Sequence, residues 1–179
     1  MSNPYTGAVA SALRKAQLLL QTPDSPAQAG SQQALRETAL QEAALLQLWR
    51  AYKAFLAEQG HQLQLGFRAG GEPENAAALA RLVSARGKFS AEVNELVSLA
   101  ENPDSWYQGM AAAWQALWLP AGGASEAAGT ESAAIVQSLI PVQQLDRQVP
   151  QPLSREALSG WLQALSELVQ RQRAHAQEW

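Results

Sequence analysis

The chain is predicted to be all-α, a single-domain antiparallel helical bundle of five to six helices joined by irregular connectors, spanning residues 1–179. Three observations carry this. Apolar residues recur at steps of three and four through most of the sequence, which places them on one face of a helix. Alanine, leucine and glutamine, all good helix formers, dominate the composition. Only one segment alternates like a strand, and a strand without a partner does not make a sheet.

The first helix is predicted over about residues 6–20, with Val9, Leu13, Ala16 and Leu20 on one face. Thr22-Pro23-Asp24-Ser25-Pro26 stops it, since closely spaced prolines cannot continue a helix. The second and longest helix follows from residue 27 or 31 to residue 59, with Leu35, Ala39, Leu45, Leu46, Trp49, Tyr52, Phe55 and Leu56 on its stripe and Gly60 as its stop. Trp49 is expected to be buried where this helix crosses the third. Residues 61–68 alternate Leu63, Leu65 and Phe67 with other residues, and without a pairing strand they read as an extended connector.

The third helix is predicted as one piece over residues 74–100, because Leu79, Leu82, Arg86, Phe89, Val93, Leu96 and Ala100 step by three and four. Helices two and three are expected to form the core pair. Asn102-Pro103-Asp104 reads as the start of the fourth helix: a cap, a proline at the first helical position and an acid near the positive end of the dipole. That helix carries Trp106, Tyr107, Met110, Trp114, Leu117 and Trp118. Residues 120–130 have the glycine- and alanine-rich composition of a flexible loop. A short apolar helix at about 132–139 and an irregular stretch at 142–152 are expected before the last helix, which starts near Ser154 and carries Leu158, Trp161, Leu162, Leu165, Leu168 and Val169.

Composition narrows the functional classes. With 6 tryptophans, 2 histidines and no cysteine, the sequence is rich in packing residues and poor in acid-base and metal-binding groups. Disulfides, thiolate catalysis and cysteine metal sites are excluded. The net charge is −3, and no third of the chain is strongly basic, so nucleic-acid binding is not expected. Apolar runs fall far short of the roughly 20 residues that span a bilayer, and the first residues lack a leader pattern, so a cytoplasmic location without membrane contact is expected.

Three groups of residues could carry chemistry. Glu58-x-x-His61 has the spacing of a di-iron ligand pair, but one such motif interrupted by Gly60 does not make a site; a solvated helix end accounts for it, and no metal or cofactor is expected. Arg171 and His175 share a helix face. They resemble the arginine–histidine pair of helical ribonucleases of the higher eukaryote and prokaryote nucleotide-binding group, with fewer residues between them than those enzymes have. Offsetting the negative end of the helix dipole explains the pair without activity. Glu42, Arg50 and Arg86 are candidate polar groups of a tryptophan-lined pocket, with Arg86 alternatively paired to Glu42. Trp106, Tyr107, Trp114 and Trp118 are a candidate interaction surface, because the apolar arc of their helix is wider than one neighbour covers; aromatics at this spacing are more often core, and Tyr107 or Trp118 is the member expected to stay partly exposed.

The segments Leu45-Leu46-Gln47-Leu48-Trp49-Arg50-Ala51-Tyr52 and Asp104-Ser105-Trp106 resemble those of an uncharacterised all-helical family from Gammaproteobacteria. The resemblance implies a helical fold and a bacterial origin and carries no activity. The function expected from the residues is that of a non-catalytic interaction protein, acting through a protein partner or self-association. The alternative is a small-molecule binder or enzyme with a tryptophan-lined pocket.

Overall fold

The computed structural model describes residues 3–22, 30–67, 70–119 and 153–177. Six helices are described: α1 (Tyr5–Leu20), α2 (Ser31–Gln62), α3 (Ala76–Ala85), α4 (Ala91–Glu101), α5 (Trp106–Ala116) and α6 (Arg155–Gln177), with no strand among the described residues. The loop expected at 120–130, the helix at 132–139 and the irregular stretch at 142–152 lie outside them.

The main helix pair is α1 with α2, rather than the expected pairing of the second and third helices. The reason is the size of the facing side chains. α1 buries Val9, Ala12 and Ala16, and α2 presents Ala44 and Ala51 within its buried face, so the two helices can approach closely. Asn3 and Thr6 bond to Glu58, which sets the start of α1 against the end of α2 and makes the pair antiparallel. α6 then runs parallel to α2. At its start Arg155 donates to the carbonyls of Leu20 and Thr22, satisfying acceptors left open at the end of α1. Near its end Arg173 reaches Glu58.

Glu58 is therefore not a solvated helix end but a buried anion at the junction of three helices. Arg173 grips it with Nε on Oε1 at 2.8 Å and Nη2 on Oε2 at 2.7 Å. The Thr6 hydroxyl donates to Oε1 at 3.1 Å, and Asn3 donates to the Glu58 backbone carbonyl at 2.9 Å. A two-point guanidinium–carboxylate contact supplemented by a hydroxyl satisfies most of what water would have offered the carboxylate.

Gly60 does not stop α2, which continues to Gln62. Its missing side chain serves a close approach instead: a Cβ there would collide with the Phe67 ring and meet Leu79. Helix ends at Gln62, Leu63 caps it, and Gln64 and Gly66 take positive φ, so 61–62 are helical and only the residues after them form the connector. Leu65 is buried there, as a pinning side chain should be.

The single long third helix is in fact two. α3 ends in a Schellman motif, with the Lys88 N–H on the Val83 carbonyl and the Gly87 N–H on the Ser84 carbonyl, and Gly87 at φ +63°. Ser90 then caps α4 by accepting from the Val93 N–H. These backbone contacts override an apolar periodicity that has nothing to face: Arg86 is exposed, and Phe89 is 80% exposed. The next helix also begins later than expected. Asn102 is the C-cap of α4, its side chain turning the chain by accepting from the Asp104 N–H, and Ser105 is the N-cap of α5.

The Glu58–Arg173 pair generates a stability prediction. Arg173→Met should leave the carboxylate buried and unpaired, and Arg173 is itself partly exposed, so a loss near the low end for such pairs is expected, about 3 kcal/mol. Urea unfolding of the single variant and of Glu58→Met/Arg173→Met checks it, with the double variant expected to regain most of the loss.

Candidate functional site

An aromatic cluster runs from the core to the surface between α2 and α5. It starts at Tyr52, whose ring is fully buried and lies 4.8 Å from that of Tyr107. Burial, and then the neighbouring Tyr107, push the Tyr52 hydroxyl far above the ordinary phenol range. Tyr107 is raised as well, chiefly by its own burial. The phenols interact electrostatically, yet among the described residues the Tyr52 hydroxyl has no well-formed hydrogen bond.

Trp49 continues the cluster. Its ring is 6.3 Å from Tyr107 and stacks on Trp114 at 5.3 Å with an interplanar angle of 7°. Trp118 meets Trp114 edge-on at 5.6 Å and 76°. The order of contacts, 107 with 52 and 114 with 49, shows that α5 runs antiparallel to α2. Trp49 is thus at the crossing of α2 with α5, not with α3, and it is partly rather than fully buried because its outer edge forms the surface of the stack.

The four aromatics predicted as an interaction surface therefore divide. Tyr107 is core. Trp106 and Trp114 are partly buried, Trp106 lining a groove of about 220 Å³ with Leu99, Leu168, Glu95 and Arg171. Trp118 is 71% exposed and Leu119 beside it 57%. Trp161 was not among the predicted site residues, yet it packs over Gly109, where a Cβ would sit 3.3 Å from its Cζ2. A glycine inside a helix is the signal that could have located this approach.

Glu42, Arg50 and Arg86 are not brought together. All three are exposed, Arg86 caps the end of α3 without reaching Glu42, and none lines either of the two main grooves. The larger groove, about 500 Å³, lies between α1 and α6, with Leu13, Leu162 and Val169 among its walls and Arg14, Gln170 and Arg173 among its polar groups. Arg173 there is committed to Glu58. Among the described residues no three of histidine, aspartate and glutamate gather as a metal site.

Arg171 and His175 face α4. Arg171 pairs with Glu95, Gln172 donates to Glu95 at 2.8 Å and to the Glu92 carbonyl at 3.2 Å, and His175 Nδ1 lies 2.9 Å from Glu92 Oε1. Both members of the candidate catalytic pair are thus engaged in a polar zipper holding α6 on α4. Hydrogen bonds from His175, the helix backbone and Ser90 hold the Glu92 carboxyl below its ordinary value of 4.5.

An all-helical bundle with a packed aromatic seam is the class these features define. The chain belongs to the family described as a family of unknown function, DUF6586, whose model matches residues 6–179. No curated protein and no solved structure matches the chain.

Two measurements test this geometry. Trp49→Ala removes a partly buried ring and its stacking partner's support, and a loss of about 2–4 kcal/mol is expected, somewhat below that of a fully buried tryptophan, read from the urea midpoint. For Glu92 the sign follows from its depressed pKa. Its stabilising contribution is present above the ordinary carboxylate range and is lost as pH falls through the lower folded value. Because the pair is partly exposed and screened by solvent, Glu92→Gln should cost only about 0.5 kcal/mol near pH 7, and the difference should shrink as the pH falls below the ordinary carboxylate range.

Proposed function

We propose that this protein is a non-catalytic interaction protein of the bacterial cytoplasm that docks a protein through the exposed end of its aromatic seam. The observation that carries the reading is Trp118, 71% exposed at the end of α5, with Leu119 exposed beside it and Trp114 supporting it from below. A tryptophan held edge-on by a second, stacked indole has little rotamer freedom left to lose on binding, and tryptophan is enriched among the residues that anchor interfaces. The scarcity of acid-base groups and the engagement of Arg171 and His175 with α4 carboxylates also support a binding role. The small-molecule alternative has less support, because the polar groups it needs are spread over the surface away from the grooves. The acidic balance of charge favours a protein over a nucleic acid. No helix among the described residues is long and apolar enough to cross a membrane.

A photoreactive phenylalanine analogue placed at Leu119 tests the reading in cells. A discrete protein adduct is expected at 119, lost in the Trp118→Ser background and absent when the same probe replaces the exposed Ser84 of α3. No adduct at 119, or adducts of equal yield at both positions, would overturn it.

A further inference from the structure

Among the described residues, nothing buries the first part of α2. By the rise of a helix α2 is about 48 Å long and α1 about 24 Å, so α1 can lie along only half of it. No residue of 31–43 is buried, and the first buried position is Ala44. On the outer face of this arm Leu35, Ala39, Glu42 and Leu46 are all exposed, the two leucines at 71% and 41%. Their steps of four, three and four keep them on one stripe, which runs on into Trp49 and hence into the stacked indoles.

That spacing reads the same in both directions. We propose that the stripe is the docking site for a second copy of this chain, the two α2 arms pairing antiparallel across a two-fold axis. This goes beyond the docking reading above, which concerns Trp118 at the end of α5 and not the arm of α2. In that register Leu35 of one copy meets Leu46 of the other, and Ala39 meets Glu42. The small Ala39 leaves room for the Glu42 side chain, which alone would oppose burial. Its countercharge is Arg36 of the other copy, placed three residues, about 4.5 Å, further along the axis. Among the described residues Arg36 and Glu42 have no ion-pair partner within the chain. A partner other than a second copy would have to reproduce this pattern of leucines and charges. The two-fold axis supplies it without further requirement, and each contact is made twice. The aromatic ends at Trp118 then flank the paired arms.

Sedimentation of the purified full chain tests this. The wild type is expected as a dimer of about 38 kDa, twice the 19.2 kDa chain. Leu46→Arg should weaken dimerisation about 100-fold or more, since each dimer loses two anchors, with helicity by circular dichroism unchanged because the residue faces away from the core. Arg36→Glu and Glu42→Arg should each weaken it about tenfold, and the double charge swap should return to within about threefold of wild type. A wild-type monomer at about 100 µM, a dimer indifferent to Leu46→Arg, or a double swap no better than the singles would overturn the pairing. A monomer combined with a 119 adduct of other mass would overturn this inference alone. A charge-swappable dimer with no 119 adduct would overturn the Trp118 docking reading and leave the paired arms standing.

Discussion

Glu58 is a carboxylate that the fold takes out of water, and the arrangement of three helices depends on what replaces that water. Arg173 supplies two parallel hydrogen bonds, Thr6 a third, and Asn3 holds the adjoining backbone. These partners come from the start of α1 and the end of α6, so satisfying one buried charge fixes the register of both helices against α2. The apolar contacts around it are non-directional: Val9, Ala12 and Ala16 would tolerate a slide along α2 that the bidentate pair does not. The burial energy of the bundle resides in the leucines and aromatics, while the choice among similar packings resides here.

The second organising feature is the aromatic seam. Its inner members, Tyr52 and Tyr107, are core residues with neighbouring rings, and its outer members are stacked indoles with a free edge. Successive rings face successively more solvent because α5 ends at Ala116 while α2 continues past it toward its own start. Among the described residues the exposed end of the seam and the exposed arm of α2 have one cause: helices of unequal length lie side by side, and the longer one extends past its neighbours.

Much of the bundle is legible from local pattern. The first and last helices, the long second helix and the aromatic content of α5 all follow from three- and four-residue steps and from turn residues. The split of α3 from α4 was also written in the sequence, in Gly87 and Ser90, but the apolar steps through Leu82 and Phe89 pointed the other way. Periodicity reports which face a residue would share, and not whether anything lies opposite that face. Gly60 misled for a related reason: a glycine near a helix end can be a stop or a landing place for a ring, and only Phe67 decides which.

By itself the sequence determined an all-helical fold, its helix-forming segments and a shortage of catalytic groups, because propensity and periodicity act over a turn or two of chain. Tertiary structure alone decided that Glu58 belongs with Arg173, 115 residues away, rather than with His61, that Trp49 stacks on Trp114, and that Arg171 and His175 are occupied by Glu95 and Glu92. It also separated Tyr107 from Trp118, neighbours on one predicted stripe, into core and surface. Such pairings follow from how unequal helices lie against one another, and local sequence carries no measure of that distance.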